Sequence, residues 1–145
     1  MTVIVKDNGH WLFPEQLDFQ KAFGFIYLIR ETATGVMYIG RKNFRGTGKL
    51  NKGKQSNWRH YTSSSNELNS TMENIGNAAF KFYVLEQYYT PGGVGWAEVW
   101  TQCHVETPTN PEIYLNRKIE GISWRSKEAI SDRHKRRLKA IIELK

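Results

Sequence analysis

The chain has 145 residues, 39% hydrophobic and 24% charged, with a formal net charge of +7. That length and balance fit one globular domain and exclude a disordered tail. A single cysteine, Cys103, excludes an internal disulfide framework and a cysteine-rich zinc site, and no run nears the roughly eighteen apolar residues of a membrane span.

Residues 1–22 read as an irregular arm. Its first residues, Met1 to Asp7, lack the basic-then-apolar pattern of a secretion signal, so a reducing, cytoplasmic location is expected. Trp11-Leu12-Phe13, followed by Pro14, is an apolar cluster that must dock on the body of the protein. Phe23 to Ile29 and Val36 to Gly40 are two apolar strands, and the turn chemistry of Glu31 to Gly35 joins them as an antiparallel hairpin. Residues 43–57 are rich in Gly, Lys and Asn and read as a mobile basic loop without the pattern of a phosphate-cradling P-loop.

Ser65 caps a helix running to Ile75 and closed by Gly76, with Leu68, Met72 and Ile75 on one face. Phe80 to Leu85 reads as a third strand, and Thr90 to Gly93 as a turn. A second helix is expected from Trp96 to Val105, with Trp96, Val99, Trp100 and Cys103 on its apolar side. A last helix is expected from Ser126 to Leu144, with Ile130, Leu138, Ile141 and Ile142 facing inward. The fold class is α+β: a small three-stranded, mostly antiparallel sheet flanked by helices, with a basic C-terminal helix.

The positive charge is segregated. Residues 41–59 hold seven basic side chains and no acidic one; residues 117–145 hold ten basic and four acidic. Between them, residues 60–116 carry one basic and six acidic groups. Two basic stretches suit a polyanion gripped at two places. The DNA-contacting candidates are Arg41, Lys42, Arg45, Lys49, Lys52 and Lys54 in the first stretch and Arg133, Arg136 and Arg137 in the second. Their phosphate contacts would give affinity without base discrimination.

Phe25-Ile26-Tyr27 and Tyr38-Ile39-Gly40 resemble the two halves of the signature of GIY-YIG nucleases. The second half matches literally; the first has Phe25 where the family has glycine, with Gly24 just before it. Further elements follow in family order: Asn57-Trp58-Arg59-His60-Tyr61, Phe80 to Glu86, Glu98 within Trp96-Ala97-Glu98-Val99-Trp100, and Tyr114-Leu115-Asn116. The resemblance covers residues 23–118, flanked by an arm (1–22) and a basic extension (119–145). It implies a Mg²⁺-dependent (or Mn²⁺-dependent) DNA endonuclease acting on double-stranded DNA, of a small phage or mobile-element type.

On that resemblance Tyr27, Tyr38, Arg59, Tyr61 and Glu98 are the catalytic set, with Glu98 also holding the metal. Phosphodiester hydrolysis needs an activated water and cationic stabilisation of the transition state. A tyrosine ordinarily titrates near 10, so its use as a base calls for a nearby cation, which Arg41 and Lys42 are placed to supply. The family's arginine normally precedes its His/Tyr partner by four residues. With Tyr61 as that partner, the position holds Asn57, which leaves Arg59 first, then Lys42, Arg41 and Arg45, as the stabilising cation. The rival reading is a non-catalytic DNA-binding protein on the same scaffold; an RNA-binding module fits less well, because the aromatics lie in apolar strand runs.

Overall fold

A computed structural model describes residues 6–116, 119 and 126–144. Strands β1 (Gly24–Glu31), β2 (Met37–Asn43) and β3 (Phe80–Tyr88) form one antiparallel sheet in the order β2-β1-β3. β1 is central and its first six residues are buried, as expected of a strand covered on both faces. Helices α1 (Asn66–Ile75), α2 (Pro91–His104) and α3 (Asp132–Ile142) complete the domain.

Two cores lie on opposite faces of the sheet. On one, Phe25, Tyr27 and Ile29 of β1 and Phe82 and Val84 of β3 pack against Trp11, Phe13 and Leu17 of the arm, Trp58, and Leu68 and Met72 of α1. On the other, Ile26, Leu28, Ile39 and Leu85 pack against Val94 and Ala97 of α2 and Leu138 and Ile141 of α3. Strand alternation assigns the residues to these faces. Between Ile26 and Tyr27 the register with β3 shifts, so Ile26 faces Glu86 while Tyr27 faces Val84. This bulge lies directly at Tyr27.

Each sheet edge is capped over part of its length, which withdraws those backbone groups from pairing with other chains. The arm adds a short parallel bridge at β3, where Leu12 N–H donates to Phe82 O (2.7 Å) and Val84 N–H donates to Leu12 O (3.1 Å). At β2, Met37 N–H donates to Ile113 O (2.7 Å) and Leu115 N–H to Met37 O (2.8 Å). Asn116 completes that edge: its side-chain amide donates to Ile39 O (2.6 Å) and accepts from Ile39 N–H (3.0 Å).

Several local expectations need correction. Thr90-Pro91-Gly92-Gly93 is the start of α2: Thr90 Oγ1 accepts from Gly93 N–H, and Pro91 sits where a helix needs no donor. The buried stripe of α2 is Val94, Ala97 and Thr101, while Trp96, Val99 and Trp100 are half-buried and Cys103 is exposed. Ile75 is likewise exposed. α3 begins at Asp132, after its cap Ser131, six residues beyond the expected start. The basic loop folds on itself, with Gly46 N–H donating to Lys54 O and Gly53 N–H to Gly46 O.

A buried histidine pins α3 in place. Thr101 Oγ1 donates to Ala97 O (2.6 Å), so it accepts from His134 Nε2 (2.8 Å). His134 Nδ1 then accepts from the Tyr88 hydroxyl (2.9 Å). Burial lowers the His134 pKa to about 4, so the ring is neutral and links α3, β3 and α2.

Candidate active site

Tyr27 and Tyr38 share a face of the hairpin without being directly opposite. Tyr27 faces Gly40 and Tyr38 faces Ile29, so the two phenols meet diagonally. Their rings stack with centroids 6.2 Å apart, and Tyr61 closes the cluster at 6.1 Å from Tyr27. Gly40 makes this possible: a β-carbon there would lie 2.5 Å from Tyr27 Cζ and would also collide with the hydroxyl. The glycine of the second signature half is therefore the floor on which the first tyrosine lies. Gly24 has a comparable reason, since a β-carbon there would lie 2.5 Å from Lys42 O on β2.

Ser64 joins the cluster from the segment before α1. Its hydroxyl lies 3.4 Å from the Tyr38 hydroxyl and is also hydrogen-bonded to Tyr61. The adjacent Ser63 holds φ at 100°, a strained conformation for a non-glycine residue. That kink turns the chain between Tyr61 and the cap of α1.

The three phenols differ in exposure. Tyr27 is 1% exposed, whereas Tyr38 and Tyr61 are half-buried. Burial, then the neighbouring Tyr38, Tyr61 and Glu98, push the Tyr27 pKa well above its ordinary value. Tyr27 is thus a hydrogen-bond donor, hydrogen-bonded to Tyr61. This corrects the expectation that Arg41 and Lys42 make it more acidic. Burial also raises the Tyr61 pKa.

Glu98 comes from α2, on the other face of the sheet. Its carboxylate is 13% exposed and lies 3.6 Å from Arg41 Nε. Its charge raises the pKa of both Tyr27 and Tyr61 from across the edge strand. The Lys42 ammonium sits 4.1 Å from the centroid of the Tyr61 ring, and burial lowers its pKa. Tyr27, Tyr38, Tyr61, Glu98, Arg41 and Lys42 are therefore arrayed along the edge strand β2, Tyr38 near the turn and Arg41 and Lys42 toward the open end of the hairpin.

The family model described as "Putative endonuclease segE, GIY-YIG domain" matches residues 11–119. The chain belongs to the GIY-YIG endonuclease family. No curated protein and no solved structure gives a significant match. The match makes this a nuclease-type domain, and it begins at Trp11, inside the arm.

The Arg59 guanidinium, expected as the stabilising cation, is engaged by the arm and the basic loop rather than by the tyrosines. Trp58–His60 is a single 3₁₀ turn, not the opening of α1. The guanidinium pairs with Asp7 (3.1 Å), hydrogen-bonds Gln55, and stacks on Trp58 and Phe19. Asn57 heads that turn with no side-chain cap bond.

Three other arginines chosen as DNA contacts serve the fold. Arg45 donates to Phe19 O (2.8 Å) and Gln20 O (2.5 Å) of the arm. Arg133 donates through Nε to Glu86 Oε1 (3.1 Å) and through Nη2 to Glu86 Oε2 (2.7 Å), and bridges to Glu15 (3.0 Å). Arg137 donates to Val84 O (2.8 Å) and Leu12 O (3.1 Å) and stacks over Phe13. Lys49, Lys52, Lys54 and Arg136 are exposed and keep their availability to an anion, whereas Arg41, also exposed, lies against Glu98. Arg117, Lys118, Arg125 and Lys145 lie outside the described residues.

Phe25, in place of the family's glycine, is fully buried among Trp11, Phe44 and Trp58. The docked arm provides the apolar space for that ring. The residues missed from sequence are Ser64, whose hydroxyl bonds to the tyrosines, and Gln102, which donates to Ile39 O beside Asn116. A serine before a helix reads first as a cap, and a helix glutamine as solvent-facing, so neither carried a usable signal.

Proposed function

We propose that the domain is a divalent-metal-dependent DNA endonuclease that hydrolyses phosphodiester bonds with a tyrosine-oriented water. The observation that carries this reading is the convergence of Tyr27, Tyr38 and Tyr61 over Gly40 with Glu98, Arg41 and Lys42 beside them. Membership of the GIY-YIG family supports it.

Among the described residues no group of three or more His, Cys, Asp or Glu side chains is gathered for a metal. One hard carboxylate, Glu98, suits Mg²⁺, which binds through one or two carboxylates and keeps most of its waters. Glu98 would hold it, and the cation would offset negative charge on the phosphate and leaving oxygen.

The chain's own groups divide the remaining work. Tyr38, one of the two half-buried phenols, accepts a hydrogen bond from the attacking water and orients it toward phosphorus. Tyr27 stays protonated and fixes Tyr61 through their hydrogen bond. Lys42, held over Tyr61, supplies the positive charge for the non-bridging oxygens in the place left by Asn57. Arg41 lies beside the Glu98 carboxylate, and with Glu98 holding a metal it would be placed to contact phosphate. Lys49, Lys52 and Lys54 hold flanking phosphates of duplex DNA.

The direct test is nicking of supercoiled plasmid with Mg²⁺ and with a chelator. Conversion to open circle only with Mg²⁺ is expected, and its loss in Tyr38→Phe ties it to this site. The second reading, a DNA-binding protein without turnover, is favoured by one feature: the Arg59 guanidinium serves the arm. Tight DNA binding with no nicking under either condition would select it.

A further inference from the structure

We propose that a cleft next to the tyrosine cluster seats one unpaired nucleotide, so that the domain prefers DNA with an extrahelical or single-stranded nucleotide beside the cleaved bond. This rests on the nuclease reading and adds a substrate class to it.

Two cavities adjoin there and share Arg41, Asn43 and Thr47. The smaller, about 270 Å³, includes Lys42, Ser56 and Tyr61, and Tyr61 is its link to the tyrosine cluster. The larger, about 730 Å³, has Phe23, Pro91 and Gly92 as its apolar wall, with Arg41 and Lys127 as its cations. Its size lies within the roughly 300–1,000 Å³ of small-ligand clefts. A strand whose phosphate rests on Arg41 and Lys42 therefore directs its neighbouring nucleoside into the larger cavity.

The chemistry of the walls matches a nucleobase. An aromatic ring and a proline offer flat apolar contact to the face of a base. The side chains of Asn43 and Thr47 have no hydrogen-bond partner among the described residues and can meet its polar edge. The end of α2 does not compete for the phosphate. Glu128 already accepts there from Tyr89 N–H (3.1 Å), Thr90 N–H (2.8 Å) and the Thr90 hydroxyl. A base held in a duplex cannot enter such a cleft, whereas a bulged or unstacked base enters at little cost.

The test measures binding in chelator, with no cleavage. One short duplex is fully paired, and a second carries a single bulged 2-aminopurine. The full chain should bind the bulged duplex at least about tenfold more tightly, given the few kcal/mol that unpairing costs a paired base. The 2-aminopurine emission should change on binding. Thr47→Trp, at an exposed loop position lining both cavities, should abolish the preference and the emission change while leaving affinity for paired duplex intact. Lys127→Glu should weaken the preference without touching the loop. Equal affinity for both duplexes with unchanged emission would overturn the cleft and leave the nuclease reading standing. A preference that survives Thr47→Trp would place the base elsewhere and also overturn it. Failure to bind either duplex would overturn both readings.

Discussion

The edge strand that carries Tyr38 and the arm-side clamp use cations in opposite ways. Around the arm, Arg45, Arg59, Arg133 and Arg137 are committed to backbone carbonyls, carboxylates and aromatic faces. Along the edge strand, Lys42 lies over a ring and Arg41 shares a partly buried carboxylate, with an exposed basic loop beside them. A guanidinium can satisfy several acceptors at fixed angles, which suits it to hold one chain segment against another. Charge concentration along a sequence therefore does not by itself identify a nucleic-acid surface. What matters is which cations remain uncommitted after folding.

That contrast breaks most visibly at Arg133. Arg133→Met should cost roughly 3 kcal/mol or more in urea unfolding, because Glu86, 7% exposed, would lose its bidentate partner. The salt dependence of DNA affinity should hardly move. A stable variant with a flatter salt slope would return Arg133 to the DNA surface.

The attachment of α3 to β3 and α2 should also respond to acid. His134 is fully buried and its folded pKa, about 4, lies below the ordinary histidine value of 6.5. The unfolded chain thus binds the proton more readily, so this contribution is complete above pH 6.5 and is lost as pH falls toward 4. The full effect is about 3 kcal/mol, at about 1.4 kcal/mol per pKa unit. His134→Gln should flatten the stability profile in that window; an unchanged slope would assign the acid sensitivity to other groups.

Along the edge strand the expected losses are in turnover. Lys42→Met should slow single-turnover cleavage by about a hundredfold, as for the removal of one preorganised donor. Arg59→Met should leave that rate nearly unchanged and lower the melting temperature. The reverse pattern would make Arg59 the stabilising cation. The smallest effect belongs to the loop: replacing Lys49, Lys52 and Lys54 one at a time by Ala should lower the salt slope by about one per phosphate contact, with no change in melting temperature.

The strands and α1 were legible in the sequence because each rests on local periodicity or a cap. The burial of Trp11 and Phe13 was also legible, as an apolar cluster with nowhere else to go. The roles of the arginines were not. Arg133 meets Glu15 and Glu86 across 118 and 47 residues, and Arg137 meets Leu12 across 125, separations no local pattern encodes. The start of α2 was misread because Pro91-Gly92-Gly93 has turn composition, while its helical state follows from the Thr90 cap and packing on the sheet. The raised pKa of Tyr27 depends on burial by an arm that had been set apart from the nuclease core.

Glu98→Ala offers the most direct measurement of the central claim, that the gathered phenols, cations and carboxylate form a phosphodiester-cleaving site. Single-turnover cleavage of saturating duplex DNA in Mg²⁺ should fall below detection, while affinity in chelator stays equal or rises as a negative charge is removed beside the phosphate. Undiminished Mg²⁺-dependent cleavage by the folded variant would contradict the claim and place the metal away from α2.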